Sequence, residues 1–379
     1  VRVLVAFDKF KDALSAEAAC AAAARVLGTT HPDWTLDLCP LTDGGEGFCE
    51  TLCRNLGGQI EHVVVTGPRG EPVTAPVGFV PSHALPAGAR RQLGAGAPAQ
   101  IAVIGLAAAS GLELLGPDRR DPWQTTTRGT GELLVRAVRE KADAILLGIG
   151  GSATNDLGFG ALATLGCKFY DGGGQVIAAP VPVTWEKIQR LDCSGAMVLP
   201  PLFIACDVTN PLLGPHGATA TFGPQKGLRA ADLPRLETQA ARLAALLCSA
   251  CGRPLALADT PGAGAAGGIS FGLMVAAGAK LLPGFDLVST WLDLPERVAA
   301  ADLVITGEGR FDATSLEGKG PGSLVRAVRQ SGKPVHVFAG SLGVAADQFL
   351  HAITPHGLPL AAALPRTAEF LAEAVARAL

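Results

Sequence analysis

The chain reads as an α/β protein with largely parallel sheets. Three observations point there. Eight short apolar runs read as buried strands, helical segments follow most of them, and the strand-end loops combine Gly with Asp, Asn, Ser, Thr or Lys. Recurrence of strand, loop and helix builds parallel sheets, whose ligands bind where loops leave the carboxyl ends of the strands.

In chain order the runs are Val1–Ala6, Leu36–Cys39, Ile60–Val65, Ile101–Leu106, Ala144–Ile149, Leu202–Cys206, Leu303–Thr306 and Val335–Ala339. Their apolar character is continuous rather than alternating, the mark of strands covered on both faces. Ser15 is placed to cap a helix through Leu27, with Glu17 in its first turn and Gly28 at its end. Glu46–Leu56 closes at Gly57. Gly131–Lys141, Asp156–Leu165, Leu233–Cys251 and Leu324–Gln330 complete the helical segments. Pro81–Gln100, rich in Ala, Gly and Pro, reads as a long loop or hairpin tip, and Asp171–Gly174 as a tight turn between short strands.

Composition narrows the function. At 379 residues, 48% hydrophobic and 17% charged, the chain can build the cores of two ordinary domains. A net charge of −3, with no basic run and a single Tyr, argues against a partner made of nucleic acid. Lys9, Lys11, Lys226 and Lys319 fall in Gly-rich or Asp-containing loops, a weak pointer to anion binding. The nine Cys form no disulfide framework, so reduced thiols in a reducing compartment are expected. Cys248 with Cys251 and Cys49 with Cys53 read as small buried apolar residues rather than metal or redox pairs. Val1–Ala6, followed by Asp8 and Lys9, does not read as a secretory signal. Pro261–Ala279 carries no charge and spaces Gly264, Gly268 and Gly272 as membrane-helix dimers do. Its six glycines and single Leu span poorly, so a glycine-rich loop opening a buried helix is expected.

Seven strand-end loops carry the chemistry. Phe7-Asp8-Lys9-Phe10-Lys11 sets a carboxylate and two ammoniums before a helix, suited to a metal–phosphate or a substrate carboxylate. Thr42-Asp43-Gly44-Gly45-Glu46-Gly47 lets backbone approach a ligand between two carboxylates. Asp121 to Gly131 supplies three Thr and Arg128 ahead of a helix, which suits an oxyanion. Gly148-Ile149-Gly150-Gly151-Ser152-Ala153-Thr154-Asn155-Asp156 follows a clean strand, and its amides could cradle phosphate. Asn155 and Asp156 could bind a metal or activate a hydroxyl. Asp207 ends a strand ahead of Asn210-Pro211, and Lys226 lies between glycines, within reach of a phosphate. Thr306-Gly307-Glu308-Gly309-Arg310-Phe311-Asp312, then Glu317-Gly318-Lys319-Gly320, repeats the theme. Ala339-Gly340-Ser341-Leu342-Gly343 is a small-residue turn.

Gly148, Gly150 and Ala153 also fit a GxGxxA dinucleotide fingerprint, with Asp171 at a suitable distance. That rival, an NAD(P)-dependent oxidoreductase, sets Asp156 beside the pyrophosphate and leaves the other polar loops unused. A non-catalytic nucleotide- or metabolite-binding protein is the third reading. No Walker A loop is present in the sequence, and Ser152 lies in Gly-Gly-Ser-Ala-Thr rather than in a GxSxG nucleophile motif.

In these loops the chain resembles the bacterial glycerate kinases of the type that forms 2-phosphoglycerate. The resemblance rests on Asp8 to Ser15, Asp43 to Gly47, Gly148 to Asp156, Ala205-Cys206-Asp207 with Asn210-Pro211-Leu212, Phe222 to Gly227, Gly262 to Gly268, Thr306 to Arg310 with Asp312, and Ala339 to Leu342. The motifs run in family order over essentially the whole chain. Phe7 and Lys9 replace the Pro and Ser usual in the first loop, and Ala313 stands where Ser is common.

The resemblance implies ATP-dependent phosphorylation of D-glycerate with Mg²⁺. It implies two α/β domains, Rossmann- or flavodoxin-like, one inserted in the other: residues 1–66 with 287–379, and residues 67–286, with the active site in a cleft between them. Asp8, Lys11, Asp43, Asp207 and Asp312 are the candidate catalytic residues. Gly150, Gly151, Ser152, Thr154, Asn155, Lys226, Glu308 and Arg310 are the candidate nucleotide-binding residues, and Asp43 and Asp207 the candidate metal ligands. Lys11, Arg128 or Arg310 would pair the substrate carboxylate. A cytoplasmic enzyme acting on small molecules, without membrane or nucleic-acid partners and with a homodimer allowed, completes the expectation.

Overall fold

The computed structural model describes residues 1–93, 99–316, 320–344 and 348–379. The chain divides into two compact units. One comprises 1–43, 86–92 and 285–379, the other 44–85 and 93–284.

The first unit is built on a five-stranded parallel sheet. Its order is Leu350–Ala352, Val335–Leu342, Leu303–Phe311, Arg2–Phe7, Thr35–Leu38. Arg2–Phe7 sits inside the sheet and is buried from Val3 onward. It leads rightward to Thr35–Leu38, whereas Leu303–Phe311 beside it leads leftward to Val335–Leu342. The chain therefore reverses direction between these two strands, and Phe7 pairs with Gly307 at the reversal. Loops leaving such a reversal diverge and open a crevice. Ser15 caps the helix Ala16–Thr30 by accepting from the Ala18 amide. The helix runs past Gly28, the expected stop, because helical backbone does not require a side chain there and His31 closes the last turn onto Leu27 O. Ala19, Cys20, Ala23 and Leu27 pack with Phe370, Leu371 and Val375 of the terminal helix Thr367–Ala378.

The second unit carries a six-stranded sheet. Lys280–Leu282, Leu202–Ala205, Ala144–Gly148 and Gln100–Gly105 are parallel; Pro72–Pro81 and Gln59–Thr66 join antiparallel. All eight expected strands form. Gln59–Thr66 corrects one detail: it is an edge strand, largely open to solvent, not a strand covered on both faces. Its partner Pro72–Pro81 escapes a periodicity reading because three prolines interrupt it; Pro72 and Pro81 lie at its ends and Pro76 opposite His62. Pro81–Gln100 is the connection of a hairpin, as expected, and also holds the helix Ala87–Gln92.

Two further expectations change. Helix Asp156–Leu165 begins only at Phe159, because Leu157 and Gly158 take left-handed backbone. Cys167 and Cys193 are joined by a disulfide, so the expectation of reduced thiols does not hold for this pair; the other seven are free. The bridge ties together the ends of a short antiparallel pair, Lys168–Tyr170 with Arg190–Asp192. Pro261–Ala279 does form a glycine-rich loop opening a buried helix, Ala265–Ala277. Among the described residues no helix is long and apolar enough to cross a membrane.

Candidate active site

In the first unit, Asp8 leaves the strand Arg2–Phe7 at the reversal point, and its amide donates to Gly307 O at 3.0 Å. The side chain is only 5% exposed. Burial, the negative charge of Asp43 and that of Glu308 push its carboxyl up to about 7, against the opposing pull of the Lys9 charge and the Lys9 amide. That amide donates to Asp8 Oδ1 at 2.7 Å. Lys9 Nζ reaches the neighbouring loop and pairs with Asp43 Oδ1 at 2.9 Å. Gly320 backs the site: a Cβ there would lie 3.0 Å from Asp8 Oδ2. Asp8, Lys9, Asp43 and Glu308 thus form one charged group made from three strand ends.

Asp312 stands apart from this group in its bonding. Its carboxylate accepts from Arg310 Nε at 3.0 Å, and its amide donates to the Ser315 hydroxyl at 3.2 Å. Arg310 and Lys11 are exposed. Glu317, Gly318 and Lys319 of the same motif lie outside the described residues.

The second unit brings together loops far apart in sequence. Gly150 donates its amide to Gly44 O at 2.9 Å. A Cβ on Gly150 would lie 2.8 Å from both Cα and N of Gly45, and one on Gly151 would strike the Glu46 carboxylate. Only hydrogen at these positions lets the two backbones meet. Gly151 O then accepts from Leu112 N at 2.8 Å, and Ala153 N donates to Ser110 O at 2.9 Å, which closes the other side of the loop.

Beyond Ala153 the loop is wholly interior. Thr154, Asn155 and Asp156 are buried. Asp156 accepts from Thr127 N at 2.8 Å, Thr127 Oγ1 at 2.9 Å, Gly160 N at 3.2 Å and Gly158 N at 3.1 Å. Burial outweighs these four donors and raises its pKa. Three donors converge on Oδ2 and one on Oδ1, so the carboxylate shapes the loop. Asn155 Nδ2 donates to Thr219 Oγ1 at 3.3 Å. Asn155 Oδ1 and Thr154 Oγ1 are buried with no hydrogen-bond partner among the described residues. Buried polar atoms left open in this way are what a ligand or an ordered water satisfies.

Lys226 is where sequence and structure part most. Its ammonium does not project from the glycine turn. It is 1% exposed and donates inward to Ser152 Oγ at 2.8 Å and Thr154 O at 2.6 Å. Burial pushes its pKa down to about 7, with the charge of Asp156 opposing. Asp207 is exposed at the end of its strand, and its carboxylate crowds Gly284, whose Cβ would lie 2.7 Å from Oδ2. Arg128 pairs with Glu132 at 3.2 Å.

Sequence reasoning passed over Thr127 as the residue that fixes Asp156, and over the Ala266-Gly267-Gly268 turn. That turn is left-handed at all three residues, and Gly267 O accepts from Leu157 N at 3.0 Å. A Cβ on Gly267 would strike Thr154 O. The run of glycines was the available signal, but not which loop it faces.

The dinucleotide rival requires Asp171 at the end of the next parallel strand. Asp171 instead closes a turn in the separate two-stranded pair, accepting from Gly173 N and Gln175 N at 2.9 and 2.8 Å. Among the described residues no group of three or more His, Cys, Asp or Glu is placed to hold a metal ion. Asp43 and Glu308 act on Asp8 through their charge, and carboxylate oxygens are the hard donors that Mg²⁺ takes, one or two of them when phosphates and water complete its shell.

The glycerate kinase family model matches residues 3–379. The glycerate kinase of Bacillus subtilis (strain 168) is 39% identical over 98% of this chain and 95% of that protein. The glycerate 2-kinase of Escherichia coli (strain K12) is 38% identical over 90% of this chain and 86% of its own length. A crystal structure from Salmonella typhimurium LT2, of a protein assigned as glycerate kinase 2, superposes with a TM-score of 0.78 at 37% identity, covering 100% of this chain and 96% of that one. On this evidence the chain belongs to the glycerate kinase family.

Proposed function

We propose that this chain transfers the γ-phosphoryl group of ATP to D-glycerate, releasing ADP and 2-phosphoglycerate. The observation that carries the reading is Asp8: a buried carboxyl at a strand end, held near neutrality and set beside a lysine. Phosphoryl transfer needs mostly positioning and charge neutralisation, with one group to take the proton of the attacking hydroxyl. A base works best with a pKa near the working pH. Asp8 takes that proton as the substrate oxygen bonds to phosphorus, and the bond from the γ-phosphorus to the bridging oxygen breaks to release ADP.

The Gly150–Asn155 loop supplies amides and the two open acceptors of Thr154 and Asn155 to the nucleotide or its partner. Lys11 or Arg310, both exposed, pairs the glycerate carboxylate. Mg²⁺, with Asp43 or Asp207 as proposed ligand, neutralises phosphate charge when bound. The division into residues 1–66 with 287–379 and residues 67–286 belongs to the same proposal, as does a cytoplasmic location. A coupled ADP-release assay with ATP, Mg²⁺ and D-glycerate, with carbon-13 NMR of the product, tests it. Turnover to 2-phosphoglycerate is expected. Inertness with D-glycerate and with other hydroxy acids and sugars would sink it.

A further inference from the structure

A buried ammonium is costly, and a protein keeps one only where its donors are used. Lys226 is such a group. It ends the turn Pro224–Lys226, and Gly227 after it has left-handed backbone at a place where a Cβ would strike Arg120 O. Two of its three N–H bonds are spent on the glycine-rich loop, one on the Ser152 hydroxyl and one on the Thr154 carbonyl. No carboxylate forms an ion pair with it among the described residues; the opposing charge of Asp156 acts through space. Asp156 meanwhile fastens the far end of the same loop to Thr127. The middle and the C-terminal end of the loop are therefore held from inside, and the side-chain oxygens it leaves open belong to Thr154 and Asn155.

We infer that Lys226 is a positioning residue: it acts through Ser152 and Thr154 to hold the Gly150–Asn155 loop in its ligand-binding shape, and makes no contact of its own with the nucleotide. The identity of that ligand rests on the reading proposed above; the internal strut does not.

A double-mutant cycle with S152A and K226M tests it. K226M keeps most of the length of the side chain and relieves the cost of the buried charge, so its melting temperature stays within a few degrees of wild type. Its KM for ATP rises about tenfold, an effect of about 1.4 kcal/mol, while kcat changes less. S152A moves KM in the same direction, and the double variant is no worse than K226M alone, because both remove one interaction. Multiplying effects of S152A and K226M, or a wild-type KM in K226M, overturns the inference. Hydrogen exchange without any ligand gives a second arm: amides of residues 150–155 exchange faster in K226M, and in S152A should K226M not fold. Unchanged exchange overturns the inference whatever the activity. A wild-type protein without turnover would sink the kinase reading, and the exchange arm would still decide this one.

Discussion

The Gly150 amide donates to the Gly44 carbonyl at 2.9 Å, so two glycine-rich loops distant in sequence form one surface. A methyl group at Gly150 meets backbone, which cannot rotate away as a side chain can. G150A is expected to cost about 1–3 kcal/mol of stability and to lose most activity. G28A is the control: it lies inside the helix Ala16–Thr30, and a Cβ there meets nothing within 4 Å. It should gain about 0.5–1 kcal/mol. Urea denaturation of both variants checks the pair, and equal midpoints would contradict the packing argument.

The role proposed for Asp8 makes the reaction pH-dependent. As a base it must be deprotonated, so kcat/KM is expected to climb with pH through an acid limb near 7. Lys9 lowers that pKa, so K9M should move the limb to higher pH. A limb that stays in place would remove Asp8 from the role.

Asp8 also links pH to stability. Folded Asp8 holds its proton to about 7, whereas the unfolded group releases it near 3.8. Its contribution is therefore greatest below pH 3.8 and is lost as pH rises to about 7. D8N is expected to lose roughly 10²–10⁴ of the rate while matching or exceeding wild-type stability at neutral pH. Melting curves beside kinetics separate these effects.

Asp156 should behave in the opposite way. Four donors converge on it, and D156N would turn a donor toward some of them. A loss of about 3 kcal/mol or more is expected on chemical denaturation, even without substrate. A wild-type midpoint would show that the carboxylate is not structural.

The Cys167–Cys193 bridge is open to direct count. Titration of the denatured, unreduced protein should find seven thiols, with two more after reduction. The bridge spans a sequence separation of 26, so reduction is expected to cost roughly 3 kcal/mol. Nine thiols before reduction would refute the bridge.

Much of this protein was written locally. The eight strand runs, the Ser15 cap and the glycine-rich loops depend on neighbours a few residues away, and each could be read in order along the chain. The resemblance of these loops to glycerate kinases followed from the same local signals. What tertiary structure alone decided is which loops meet and which polar groups lose water. Asp8 and Asp312 are both strand-end carboxylates in sequence, yet one is buried beside Asp43 and the other is tied to Arg310. Lys226 sits between glycines as an exposed phosphate ligand would, yet it points inward to Ser152. The edge position of Gln59–Thr66, the late start of the helix at Phe159 and the Cys167–Cys193 bridge are of the same kind. Burial and long-range pairing set the charge and the reach of each of these groups, and neither is encoded in the spacing of residues along one segment.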